Sequence, residues 1–257
     1  MIHNKPSAPT WADLSTTDLT GAKAFYTGLF GWTAGDVPMP DAGGYGMWMK
    51  GEEYVGGYGP CMSPGQPPAW MAYFGTADIE ATTAAVTANG GTVVAGPMDI
   101  FTSGKLAACT DPEGAFFGLW QPLEHQGFGA VDEPGAVAWF ELLVRDPEQA
   151  KAFYTAVFGW GADTHPYGPT SYTEWSLDGE SFSGMMAIDE NFPPDVPAHW
   201  MVYLAVEDCD TTAAKVGELG GKVLVQPTTI PPGRFSVVSD PQGALLAVIA
   251  LTPGQKG

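Results

Sequence analysis

The chain has 257 residues, with 29 acidic against 10 basic side chains, a formal net charge of −19, 45% apolar and only 15% charged residues. Nucleic-acid binding needs a basic footprint and is excluded, and an anionic membrane surface would repel the protein. The three cysteines (Cys61, Cys109, Cys209) form no CxxC pair, so a reduced, cytoplasmic setting is expected, with no signal peptide and no apolar run of about 18 residues to span a membrane.

In chain order, Trp11–Thr17 alternates as a strand should. Thr20 is placed to cap a helix in which Ala22, Phe25, Tyr26, Leu29 and Phe30 fall at helical spacing, and Gly31 ends it. The stretch 46–59 (GMWMKGEEYVGGYG) reads as a hairpin with glycine at its turn. Residues 70–76 (WMAYFGT) form a strand, 78–91 a helix ending on Asn-Gly-Gly, and 107–121 (AACTDPEGAFFGLWQ) a hairpin with a Pro/Gly turn. Then the pattern begins again. AKAFYTGLFGW at 22–32 returns as AKAFYTAVFGW at 150–160, a shift of 128. AWMAYF at 69–74 matches HWMVYL at 199–204, GGTVVAGP at 90–97 matches GGKVLVQP at 220–227, and DPEGAFFGL at 111–119 matches DPQGALLAV at 240–248. Four blocks in one order mean two copies of one domain, assigned to 1–124 and 136–257 with a Gly-containing polar linker at 125–135. Each copy reads βαβββ twice. The expected fold is α+β: four such modules paired into two U-shaped mixed sheets with helices outside, the copies packed about a pseudo-two-fold axis.

These motifs resemble the vicinal-oxygen-chelate superfamily of glyoxalase I, bleomycin- and fosfomycin-resistance proteins and extradiol dioxygenases. The resemblance rests on a strand ending in Asp, then AFYTGLFGW or AFYTAVFGW, then DPEG or DPQG before the last strand, and covers about 8–122 and 136–250. The openings Trp11-Asp13-Leu14 and Trp139-Glu141-Leu142 are similar to tandem glyoxalase-like proteins of actinobacteria, some tied to antibiotic pathways. The resemblance implies that paired modules form a cleft that holds the ligand. It also implies metal ligands seven positions before the Asp that closes each first strand, on the hairpin strand, and seven positions after the Asp of Asp-Pro-x-Gly. Those first-strand positions hold Trp11, Met71, Trp139 and Met201. The last-strand positions hold Gly118 and Ala247, and the hairpin strands 54–60 and 181–187 lack His, Asp and Glu. His3, His125, His165 and His199 form no HxxxH or HxE spacing. No metal and no cofactor are therefore expected.

Side chains two apart on a strand share a face. The clefts should then present Trp11, Asp13, Met71 and Tyr73 in one copy, and Trp139, Glu141, Met201 and Tyr203 in the other. Rings and thioethers with one carboxylate suit a flat organic ligand. The same side chains could equally be core, with Asp13 and Glu141 paired inside the fold. Trp70 and Trp200 should pack under the helices. Lys105 and Arg234 are candidates to close over a cleft. Three functions follow: a binding protein for an aromatic antibiotic or metabolite, as bleomycin-binding relatives are; a metal-independent isomerase, lyase or cyclase with Asp13 or Glu141 as acid/base group; or a scaffold without ligand. The expected partner is an aromatic small molecule, with the chain a monomer or weak homodimer. The glycines of the first hairpin (Gly56, Gly57, Gly59) suggest the roomier cleft in copy one.

Overall fold

The computed structural model describes residues 1–36, 43–168 and 170–252. The N-terminal half contains β1 (Pro9–Thr16), α1 (Leu19–Phe30), β2 (Thr33–Asp36), β3 (Gly46–Lys50), β4 (Glu53–Pro60), β5 (Ala69–Gly75), α2 (Ile79–Ala88), β6 (Thr92–Ile100), β7 (Gly104–Thr110) and β8 (Phe116–Pro122). The C-terminal half repeats this order: β9 (Val137–Val144), α3 (Pro147–Phe158), β10 (Gly161–Tyr167), β11 (Thr170–Leu177), β12 (Glu180–Ala187), β13 (His199–Ala205), α4 (Cys209–Glu218), β14 (Lys222–Ile230), β15 (Gly233–Ser239) and β16 (Leu245–Leu251). Each half folds into one eight-stranded mixed sheet, ordered β2-β3-β4-β1-β5-β8-β7-β6 and β10-β11-β12-β9-β13-β16-β15-β14. The modules meet at the sheet centre, where β1 runs antiparallel to β5 and β9 to β13. This is the expected α+β architecture of two domains with four βαβββ modules.

The Asp that closes each module's first strand has a local job. Asp18, Asp78, Asp146 and Asp208 are the N-caps of α1, α2, α3 and α4, each accepting a backbone N–H of the first turn. The expected cap Thr20 is thereby corrected: it lies one residue inside α1, while the Asp18 carboxylate reaches the Gly21 N–H at 3.0 Å. A carboxylate suits this place because it also faces the positive end of the helix dipole. Gly31 and Gly159 end α1 and α3 in the left-handed conformation, at φ 72° and 73°.

The helix side of each sheet faces the other domain, and an aromatic core runs through both. Phe117 on β8 packs against Phe153 and Tyr154 on α3, and Phe74 on β5 packs against Phe140 and Trp200 of the C-terminal sheet. Trp70 and Trp200 lie under the helices as expected. Each starts a relay across the domain boundary. The Trp200 indole donates to the Tyr154 hydroxyl at 2.9 Å, and Tyr154 donates to Asp111 of the other domain at 3.2 Å. Its pseudo-symmetric twin is Trp70 to Tyr26 at 2.9 Å and Tyr26 to Asp240 at 3.2 Å. Asp111 and Asp240 are the aspartates of the Asp-Pro-x-Gly turns, whose other oxygens accept the backbone N–H groups of Ala115 and Ala244. Two further indoles cross the boundary: Trp32 donates to Gly135 O at 2.8 Å and Trp160 to Ser7 O at 2.6 Å.

Removing one hydroxyl from a relay orphans a buried indole N–H and a buried carboxylate oxygen together. We expect Tyr154→Phe and Tyr26→Phe each to lower unfolding stability by about 1–3 kcal/mol in calorimetry. A loss below about 0.5 kcal/mol would show that the relay does not hold the domains.

Candidate functional site

The concave faces carry the residues that the strand alternation singled out. In the N-terminal domain, Met47 on β3 pairs with Gly57 on β4, Gly57 with Asp13 on β1, and Asp13 with Met71 on β5. These four positions form one row across the sheet. Trp11 pairs with Tyr73 in the adjacent row. At the centre, Asp13 Oδ1 accepts from the Trp11 indole at 2.8 Å and from the Tyr45 hydroxyl at 2.7 Å, and the Tyr73 hydroxyl adds to them. Burial pushes the Asp13 carboxyl above the ordinary range, against these three hydrogen bonds. Burial and the neighbouring Asp13 charge push Tyr45 and Tyr73 well above the usual phenol value, so both stay protonated donors. Asp13 is crowded by protein atoms yet keeps some accessible surface. Met71 is half-buried too, whereas Trp11 and Tyr73 are each only 4% exposed.

The C-terminal domain builds the same centre from other residues. Glu141 on β9 accepts from the Tyr203 hydroxyl at 2.7 Å, with Tyr172 as a second partner, and the Trp139 indole donates to Tyr172 at 3.0 Å. Burial raises the Glu141 carboxyl as well. Trp139 and Glu141 are half-buried, while Met201 and Tyr203 are 6% and 7% exposed. The eight residues expected at the clefts therefore fall into two clusters around Asp13 and Glu141. Within them Trp11, Tyr73, Met201 and Tyr203 serve mainly as packing and as partners of the carboxylates.

Sequence reasoning missed Tyr45 and Tyr172. They occupy equivalent places, 172 − 45 = 127 apart, just ahead of the conserved-spacing Trp48 and Trp175. Their places are marked in the structure by Gly57 and Gly184. A Cβ at Gly57 would collide with the Tyr45 hydroxyl and the Asp13 carboxylate, and one at Gly184 with the Tyr172 hydroxyl. The glycine beside each carboxylate is thus a slot for a phenol. This corrects the reading of the first hairpin: the space left by Gly57 is filled from within the protein.

The room in this cleft lies elsewhere. A hollow of about 460 Å³ is lined by Gly35, Asp36, Met47, Met49, Tyr54, Ser103, Glu124 and His125. His125, read as part of the linker, folds back so that its ring stands edge-on to Trp11 at 4.5 Å. The C-terminal concave face is covered differently. Phe192 and Val196 pack onto the cluster of Met201, Tyr203, Leu143 and Ile249, and Arg145 Nη2 holds this loop through Pro194 O at 3.0 Å and Val196 O at 2.8 Å. His199 Nδ1 donates to Pro197 O at 2.9 Å, and burial lowers its pKa. Lys105 and Arg234 do not close over a cleft. Arg234 grips Asp210 on α4 at 2.6 and 2.8 Å, on the helix side, and Lys105 faces Asp99 at 3.9 Å.

The residues present do not fit a divalent metal. The Tyr73 ring fills the space that a side chain at Gly118 would need, and Asp13 Oδ1 already accepts two hydrogen bonds. Among the described residues no three His, Cys, Asp or Glu side chains come together as ligands would. Among them, too, no helix is long and apolar enough to cross a membrane.

Two domains of paired βαβββ modules around outward clefts define the glyoxalase-like class. The Glyoxalase/Bleomycin resistance protein/Dioxygenase superfamily model matches residues 9–119 and 136–248, and the chain belongs to that superfamily. It is 41% identical over 258 residues to CFP32 of Mycobacterium tuberculosis, named as a candidate glyoxylase, covering 98% of this chain and 97% of that one. It is 36% identical over 269 residues to the anthracycline biosynthesis protein DnrV of Streptomyces peucetius, covering 99% and 97%. In fold it is similar to the Mn(II)-bound glyoxalase of Novosphingobium aromaticivorans (TM-score 0.65, 15% identity, 96% and 82% covered). It is also similar to the 2,3-dioxygenase LapB of Pseudomonas sp. KL28 (TM-score 0.64, 15% identity, 94% and 91% covered).

An ionised Asp13 is a burden on the fold. Its raised pKa means that the folded state holds the proton more tightly than the unfolded chain does. Stability is therefore fully present below the unfolded value of about 3.9 and is lost as pH rises through the folded pKa. Asp13→Asn keeps an oxygen for Trp11 and Tyr45 without the charge. We expect it to raise the melting temperature at pH 7, by an amount that shrinks as pH falls towards the unfolded-chain value of about 3.9. A gain independent of pH would show that charge is not the cause. Gly118→Ala should cost about 1–3 kcal/mol by driving the Tyr73 ring from its place, measured by denaturant titration.

Proposed function

We propose that the N-terminal cleft binds a flat aromatic small molecule without a metal ion, with Asp13 as the polar anchor. The observation that carries this reading is the position of Asp13. It is a carboxylate with residual accessible surface on the concave face, in one row across the sheet with Met47, which lines the hollow of about 460 Å³ beside it. A volume of this size suits a ligand of a few fused rings. The kinship with an anthracycline biosynthesis protein supports a polycyclic aromatic as the ligand class. The N-terminal cleft is favoured because the hollow of about 460 Å³ opens there, whereas in the C-terminal one Phe192 and Val196 pack directly onto Met201 and Tyr203.

A second reading has its own support. A carboxyl raised by burial and flanked by protonated phenols is arranged for proton transfer, so Asp13 would also serve as an acid/base group for an isomerase, lyase or cyclase. Binding with the ligand recovered unchanged supports the first reading, and a changed product mass the second.

The anchor is tested by titration calorimetry with an anthracycline aglycone. We expect Asp13→Asn to weaken binding by about 1–3 kcal/mol, the worth of a charge-assisted hydrogen bond, and Glu141→Gln to leave it within about 0.5 kcal/mol. A larger effect at Glu141 would move the site to the C-terminal cleft. Equal small effects at both would make the two carboxylates structural.

A further inference from the structure

The segment that leaves β8 turns back over the N-terminal cleft instead of running straight to the second domain. It is stitched down along its length. The Leu123 and His125 N–H groups both donate to Ser103 O at 3.0 Å, and the Trp120 indole donates to His125 O at 2.9 Å. Phe128 N–H donates to Thr10 O at 3.0 Å, and Gly129 N–H to Tyr54 O at 2.7 Å. His125 is thus held on both sides of its backbone, and its ring stands at 5.8 Å from the Tyr54 ring, nearly perpendicular to it. Tyr54 is 41% exposed, a large aromatic surface left uncovered beside the hollow.

The hollow has a clear chemical character. Met47 and Met49 offer thioethers on one wall; Tyr54 and His125 offer rings; Asp36 and Glu124 stand as the charged groups, with no Lys or Arg among the described residues of the lining. Asp36 is committed to Lys23 at 2.6 Å and Tyr58 at 3.0 Å, whereas the exposed Glu124 side chain takes, among the described residues, the neutral Thr102 hydroxyl at 2.6 Å and no cation. Glu124 is therefore the carboxylate whose charge is left for a ligand. The imidazole cannot supply a rival positive charge cheaply: its Nε2 is buried without a hydrogen-bond partner among the described residues, and burial lowers its pKa. Rings attract a flat cation through their faces, thioethers pack against it, and a carboxylate balances it.

We propose that this hollow is a binding site for a flat aromatic cation, walled by Tyr54 and by His125 of the inter-domain segment, with Glu124 as the counter-charge. The proposal rests on the reading that the N-terminal cleft binds an aromatic molecule, and it names the part of the cleft and the charge of the ligand. The segment between the domains is then part of the site, not a mere tether.

The test is fluorescence titration of the whole chain with two three-ring probes of opposite charge, 9-aminoacridine and anthraquinone-2-sulfonate. The cation should bind at least tenfold more tightly than the anion, and Glu124→Gln should remove most of that preference. His125→Ala should weaken 9-aminoacridine at least fivefold. His125→Phe, which keeps a ring against Trp11, should restore most of the loss; melting curves of each variant check that it folds. Losses from Asp13→Asn but none from His125→Ala or Glu124→Gln would leave the cleft reading standing and overturn this one. Equal binding of the two probes, or no saturable binding of either, overturns it as well.

Discussion

The relay of indole, phenol and carboxylate across the domain boundary is the constraint on which the rest of the molecule depends. Tyr154 and Tyr26 sit on α3 and α1, yet each donates to the turn aspartate of the other domain. Each relay needs the opposite domain to satisfy its buried polar groups. Burial raises both phenols well above their usual pKa, and the facing aspartate adds to it, so the hydroxyls remain donors. The helix layers are thereby committed to the domain boundary, and the concave faces of the sheets are free to become clefts.

Inside each cleft one carboxylate stands near the centre, with phenols and an indole around it. Such a centre is donor-rich and hydrogen-bonded within itself. Its specificity toward a ligand would come from shape and from a single acceptor more than from ion coordination. Residues Gly57, Gly118 and Gly184 are what permits it, because each gives its side-chain volume to a tyrosine.

Much of this was legible in the sequence, and the reasons are specific. The repeat fixed the module count because four blocks recur at nearly constant shift. Strand alternation placed Trp11, Asp13, Met71 and Tyr73 on one face, since period two leaves no alternative once the strand is known. Tyr45 and Tyr172 were not legible. Tyr45 stands just ahead of β3 and Tyr172 on β11, each reaching a carboxylate two strands away across the glycine of the strand between, and no local pattern reports that register. The cap was misread because Thr20 and Asp18 are both good caps, and only the backbone path decides which one stands at the helix edge. His125 was the largest omission. A polar, glycine-containing stretch looks like a tether, and nothing short-range signals that Ser103, Trp120 and Thr10 hold it in place.

The two clefts are roofed by unrelated pieces of chain: 123–129 over one, and the loop carrying Phe192 and Val196 over the other. The first of these exists only because one domain must be followed by the next. Two identical subunits associating about an axis would be forced to carry the same roof, and any mutation would strike both sites at once. Covalent succession lifts that symmetry. One cleft can drift towards a new ligand while its twin, locked to it through the buried relays, does nothing but keep the pair folded.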